Sequence, residues 1–251
     1  MSKTHYSEVD QLISELHTSI KIALGERLRG FYLFGSLVGG DFDSKTSDID
    51  LLAIVESDVT DDELHDLKAM HEDFVHKHPA WHDRIEVAYV DVEAMRAFKT
   101  STVRIARVSP GESLHYRDMD IQWLMDWYMV QEQGLTIEGP SPKTFIPTIT
   151  EDEFVTSIKG EFSSWLGRAK EARWVGYQSY VILSLCRGLY AIRFGKQVSK
   201  FKGASWAAQE YPQWAELIQQ ATQWHGSSDK ADSLAAQAET ITFAQFMISQ
   251  A

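Results

Sequence analysis

The chain has 251 residues, with 24 Lys and Arg against 36 Asp and Glu, a formal charge of −12. The acid excess argues against a binder of nucleic acid or anionic membrane, whose affinity comes from Lys and Arg contacts, and suits a metal ion or a cationic small molecule. Hydrophobic residues at 44% and charged residues at 24% exclude a disordered chain, and Cys186, the single cysteine, excludes an internal disulfide and disfavours a thiolate zinc site.

Read in chain order, the N-terminal residues Met1 to Glu8 lack the charged-then-apolar run of a secretory signal. No later segment approaches a membrane span, so a soluble, cytoplasmic protein is expected. Ser7 is placed to cap a helix whose apolar positions Val9, Leu12, Ile13, Leu16, Ile20 and Leu24 recur at a spacing of three to four. Phe31 to Phe34 reads as a strand entering a tight turn at Gly35, with a short helix starting at Ser36. Ile49 to Val55 reads as a second strand, polar at its start and then buried. Asp61 to His78 follows as a helix closed by Pro79, and Arg84 to Val90 as a third strand of alternating character. Residues 119–134 read as a helix ending at Gly134.

Three of the six prolines, Pro140, Pro142 and Pro147, then fall together. Proline fixes φ and removes a donor, so the cluster breaks helix and sheet alike and marks a domain boundary near residues 139–150. The charge changes there as well. Residues 1–150 hold 26 acids and 14 bases, whereas residues 151–251 hold ten of each. Beyond the boundary about five helices are expected and no strand. Phe154, Ile158, Phe162 and Trp165 form one apolar stripe, and Tyr180, Leu183, Leu185, Leu189, Ala191 and Phe194 form another that Gly195 stops. The ranges Trp206 to Tyr211, Trp214 to Trp224 and Lys230 to Ile248 complete the bundle.

Chemistry concentrates between Phe34 and Leu52. Asp48 and Asp50 are two residues apart at the start of a strand, so both carboxylates project from one face. Two acids that close repel one another unless a cation joins them, and Mg²⁺ takes one or two carboxylates plus substrate phosphates. Gly35 permits close backbone approach, while the Ser36 hydroxyl and a helix start suit phosphate oxygens. Ser47 offers a further hydroxyl. Glu86, in the third strand, joins the pair if that strand lies beside the second, as a ligand or as acceptor of a proton from an attacking hydroxyl. Each dipeptide alone is also the stuff of ordinary turns and strand ends. Both together, at the ends of independently read strands that then become apolar, favour a metal.

Gly35-Ser36, followed after eleven residues by Asp48-Ile49-Asp50, resembles the signature of the nucleotidyltransferase superfamily related to DNA polymerase beta. Residues 137–147 resemble the connector of bacterial aminoglycoside adenylyltransferases that modify streptomycin and spectinomycin. Leu183 to Tyr190, Gly195-Lys196, Ser199-Lys200 and Trp206-Ala207 resemble that family's helical domain. The resemblance implies an α+β fold, with a nucleotidyltransferase domain over residues 1–145 (a mixed sheet flanked by helices) and an all-α domain over 146–251. It implies transfer of AMP from ATP to a hydroxyl of a small, cationic acceptor. From the acid excess and the lack of a membrane span no nucleic acid or membrane partner is expected, and a monomer is expected as well. By the same resemblance Asp48 and Asp50 would hold Mg²⁺, and Glu86 would act as general base and further ligand. Gly35, Ser36, Ser47, Arg187 and Lys200 would meet ATP. The basic run Arg187, Arg193, Lys196, Lys200 and Lys202 is the densest of the chain and suits a triphosphate, although a solvated face explains any one of these residues.

Family members hold their acceptor with acids near the start of the helix bearing Arg187. Here that stretch, Arg173 to Gln178, carries no carboxylate, and Arg173 would repel a cation. Trp174 and Tyr177 remain as substrate-binding candidates that can stack on a ring. An adenylyltransferase acting on a protein or on a non-antibiotic small molecule stays open, as does a nucleotide binder without catalysis. His71, His76, His78 and His82 read as titrating groups of a surface helix, Cys186 as packing, and Lys99 to Arg107 as a modest basic patch.

Overall fold

The computed structural model describes residues 4–227 and 229–251. Two compact units divide between Ile149 and Thr150. The first is built on a six-stranded mixed sheet, the second from helices.

In the first unit, helix α1 (Ser7–Leu24) buries all six apolar positions of its predicted stripe. Its N-cap is Tyr6, with no side-chain capping bond, and Ser7 is the first helical residue; the expected Ser7 cap is not made. Strand β1 (Leu28–Phe34) runs into the one-turn helix α2 (Ser36–Gly39), and β2 (Ile49–Val55) follows. Helix α3 (Asp61–Lys77) starts on a capping box in which the Thr60 side chain and Glu63 satisfy each other's backbone N–H groups. It leads to β3 (Ile85–Asp91) and helix α4 (Val92–Ala97). A hairpin of β4 (Val103–Ser109) and β5 (Glu112–Met119), helix α5 (Leu124–Gln133) and edge strand β6 (Leu135–Glu138) complete the unit.

The sheet order is β5-β4-β3-β2-β1-β6. Only β2 and β3 pair in parallel, joined through α3; every other pairing is antiparallel. Alternation then decides which side chains meet. Ile49, Leu51, Ala53 and Val55 of β2, with Ile85, Val87 and Tyr89 of β3, form one core with Leu12, Leu16 and Ile20 of α1 and Leu67 and Phe74 of α3. Asp50, Leu52, Ile54, Glu86, Ala88 and Val90 alternate with them and face the other way. On that side Trp127 of α5 lies against Phe34 of β1, ring centroids 6.4 Å apart. Strands buried on both faces read as nearly continuous apolar runs, which is why β2 and β3 stood out. The hairpin did not. The expected helix over 119–134 is replaced at its start by the end of β5 and a single 3-10 turn over Ile121–Trp123, so the α-helix is only 10 residues long.

The four histidines do not share a surface. His71 is buried in α3, 5% exposed, and its Nε2 is 2.7 Å from Tyr89 Oη. Burial lowers its pKa to about 4. The unfolded chain therefore binds the proton more readily, and the stability contributed by neutral His71 is fully present above about pH 6.5 and is lost as pH falls toward 4. Denaturant melts at pH 7 and pH 5 are expected to differ by about 2 kcal/mol on this account. His71→Gln, which keeps a partner for Tyr89, should remove that part of the slope; an unchanged slope would contradict the assignment.

The second unit contains six α-helices among the described residues, one more than expected. They are α6 (Glu151–Phe162), α7 (Trp165–Glu171), α8 (Val175–Phe194), α9 (Lys200–Glu210), α10 (Ala215–Trp224) and α11 (Leu234–Ser249). Phe154, Ile158 and Phe162 are the buried face of α6, whereas Trp165 opens α7 instead of extending that stripe. Helix α8 is the centre of the bundle, packed against α6, α7, α9, α10 and α11. Every residue from Val181 to Cys186 is buried, but Tyr180 and Phe194 of the predicted stripe are exposed. Gly195, at φ 66°, takes the left-handed turn that ends the helix. The last helix begins at Leu234, four residues later than expected, and a lone bridge pairs Trp174 with Asp232. The Gln178 amide donates to the carbonyls of Ala172 at 3.0 Å and Ser233 at 3.1 Å, tying the start of α8 to that approach. No helix among the described residues is long and apolar enough to cross a membrane.

Candidate active site

The parallel register of β2 and β3 sets Asp50 directly beside Glu86. Neighbours in register point to the same face, and Asp48, two residues before Asp50, joins them. Carboxylate oxygens of Asp48, Asp50 and Glu86 lie within 4.8 Å of one another, and all three residues are half-buried. Among the described residues this is the one cluster of three or more His, Cys, Asp or Glu side chains spaced to hold a metal ion. Burial, with the nearby Asp48 charge adding to it, pushes the Glu86 carboxyl above its usual range, while the Arg107 guanidinium opposes the rise. Oxygen-only donors of this kind fit a hard divalent cation such as Mg²⁺.

Gly35 closes the other side. Phe34 pairs with Asp50 across β1 and β2, so Gly35 turns the chain immediately over that carboxylate. Its backbone, at φ 73° and ψ −151°, occupies a region open essentially to glycine alone. A Cβ there would overlap Asp50 Oδ2. The sequence suggested that Gly35 makes room for phosphate; the structure shows that it first makes room for an acid. Ser36 follows at the start of α2, and its Oγ is buried with no hydrogen-bond partner. An orphaned hydroxyl costs free energy unless a ligand meets it.

Ser47 is used differently. Its Oγ accepts the Asp43 N–H at 2.9 Å and so closes the loop leading to Asp48. Arg84, which the sequence did not single out, grips the same loop. Its Nε donates to Ser47 O at 2.9 Å and its Nη2 to Ser44 O at 3.0 Å, with the guanidinium 4.3 Å over the Trp81 ring. Phe42 is buried in this loop against Tyr6 and Trp81. Asp48 is therefore positioned by a pinned loop and Asp50 by a strand.

Arg107 was also missed as a site residue. It belongs to β4 opposite Ala88, on the face that carries Glu86, and its Nη2 donates to Glu86 Oε1 at 2.7 Å. The Pro110-Gly111 turn between two strands was the available signal for that hairpin.

The remaining predicted residues belong to the second unit. Arg187 is half-buried on α8, and Lys200 is the first residue of α9, its Nζ 5.1 Å from the centre of the Tyr180 ring. Trp174 caps α8, and its ring centroid is 5.3 Å from that of Tyr177, which in turn lies 6.2 Å from Tyr180. Arg173 carries an ion pair with Asp232, so its charge is met and does not confront a ligand alone. Cys186 is fully buried and its thiol pKa is pushed up by burial, which suits packing.

Comparison with known proteins divides the chain in the same way. Residues 18–108 match the model of a nucleotidyltransferase domain, and residues 144–250 match that of the aminoglycoside adenylyltransferase C-terminal domain. Ten solved chains match. One is the spectinomycin adenyltransferase AAD(9) from Enterococcus faecialis, whose crystal structure contains ATP and spectinomycin. It is 17% identical, with a TM-score of 0.75 over 95% of this chain and 98% of that one, which shows the shared fold. No curated protein matches the chain by sequence.

Proposed function

The chain belongs to the aminoglycoside adenylyltransferases, enzymes of the nucleotidyltransferase fold, and from that premise we propose that it transfers AMP from ATP to a hydroxyl of an aminoglycoside-like small molecule, releasing pyrophosphate. The observation that carries the proposal is the convergence of Asp48, Asp50 and Glu86 from two parallel neighbours of the sheet.

Asp48 and Asp50 would hold Mg²⁺, which when bound orients the triphosphate and offsets charge on its non-bridging oxygens. Ser36 Oγ, buried and otherwise unsatisfied, donates to a phosphate oxygen. Gly35 keeps the chain close enough for that contact without displacing Asp50. Glu86 accepts the proton of the acceptor hydroxyl as its oxygen attacks the α-phosphorus in line, and the pKa raised by burial makes it the better base. Ser47 contributes through the loop that it closes. Arg187 and Lys200, which lie in the stretch matching the family's C-terminal domain, are the further candidates for ATP contacts. Trp174 and Tyr177 supply ring faces on which the acceptor stacks. The ion pair of Arg173 with Asp232 removes one obstacle to a cationic acceptor.

Spectinomycin, present in the AAD(9) structure, is the first acceptor to try. Incubation with α-labelled ATP and Mg²⁺ beside a panel of aminoglycosides is expected to place label in drug, with pyrophosphate released in equal amount. Label in protein would instead favour a protein acceptor. Binding of ATP with no transfer to any acceptor would overturn the enzyme assignment of this site.

A further inference from the structure

Glu86 stands between two possible cations. One is an ion held by Asp48 and Asp50; the other is built into the sheet. Arg107 reaches Glu86 diagonally from β4, Nη2 to Oε1 at 2.7 Å, with only 19% and 18% of the two side chains exposed. Trp123 provides a floor, its ring 4.9 Å from the guanidinium carbon and stacked on Trp127 at 5.6 Å. Arg107 Nε is buried with no hydrogen-bond partner. Arg117, on the neighbouring β5, adds a weaker positive field at Glu86. A buried guanidinium is costly to place, and its planar fork and ring stacking fix its direction as a lysine would not. With Arg107 included, the three carboxylates carry a local charge of −2, which a single divalent cation neutralises.

We infer that Arg107 is a positioning residue that reserves Glu86 for the acceptor's proton, acting as its counter-cation so that Asp48 and Asp50 hold the metal ion and Glu86 does not turn to it as a third ligand. This role presupposes adenylyl transfer by the site described above. Without Arg107 the carboxylate is untethered and a third negative charge is left uncompensated, so the site should hold a divalent ion more tightly and catalyse less well. A residue needed only for packing would change neither in that pattern.

The test pairs Mn²⁺ binding to the full-length protein without nucleotide, followed by the electron paramagnetic resonance signal of free Mn²⁺, with steady-state kinetics. Arg107→Met is expected to bind Mn²⁺ about tenfold more tightly, while kcat falls about a hundredfold with the KM for ATP nearly unchanged. Arg107→Lys keeps the charge and loses the fork; its Mn²⁺ affinity should match the parent, and part of kcat should return. A folded Arg107→Met protein that binds Mn²⁺ no more tightly than the parent, or turns over within about threefold of it, overturns the inference. If that variant does not fold, Arg107→Gln, which keeps a donor toward Glu86 and drops the charge, carries the same comparison. A parent protein that transfers no AMP defeats the proposed function instead, and the Mn²⁺ comparison still judges Arg107.

Discussion

Asp48→Asn is expected to lower AMP transfer by about 10³-fold or more, because the neutral amide is a poor ligand for a hard cation and the aspartate charge that holds that cation is halved. Its effect on stability should have the opposite sign. Without metal the three acids, with oxygens within 4.8 Å of one another, repel, so removing one charge leaves the melting temperature unchanged or slightly higher. Glu86→Gln should lose turnover to a similar degree but behave differently on melting. It leaves the largely buried Arg107 without its carboxylate, and breaking such a pair costs about 3–5 kcal/mol when burial is complete and less here. Parallel measurement of kcat and thermal midpoint on both variants separates the two positions. An Asp48→Asn enzyme within a few-fold of the parent rate would remove the metal-holding role from that acid.

Gly35→Ala should be among the most damaging single methyl additions in the first unit. At φ 73° and ψ −151° the backbone alone resists any side chain, at about 1–3 kcal/mol. The added carbon also overlaps Asp50 Oδ2, so either the turn or the carboxylate must move. A loss of about 2–4 kcal/mol in unfolding free energy is expected, together with turnover too slow to quantify easily. A double-mutant cycle apportions the loss. On an Asp50→Ala background the carboxylate overlap is gone and only the close approach to the Cβ of residue 50, at 3.0 Å, remains, so Gly35→Ala should then cost little beyond its backbone strain. Equal costs on both backgrounds would mean that Gly35 and Asp50 do not compete for space.

What could be read from the sequence followed from how strongly each segment repeats its pattern. β2 and β3 are buried on both faces, so their acids stood out as polar interruptions at the starts of apolar runs. β5 buries only Leu114 and Met119 among eight residues and shows no such contrast. It passed unrecognised although Pro110-Gly111 marked its turn. The paired acids were legible because they are near in sequence and periodicity fixes their common face. Arg107 and Arg84 were not legible as site residues. One meets Glu86 diagonally across β3 and β4, and the other holds carbonyls of a loop 37 and 40 residues earlier in the chain. Neither relation has a local signature. His71 shows the same limit, since it lies in α3 and its hydrogen-bond partner Tyr89 comes from β3, 18 residues later.

Asp50 and Glu86 are borne by the two innermost strands, with β1 and β6 beyond one and β4 and β5 beyond the other. Fraying of the margins does not reach them. The amides of these two strands are expected to be the most slowly exchanging of the sheet, so the Asp50–Glu86 spacing should persist on warming until the whole unit melts cooperatively.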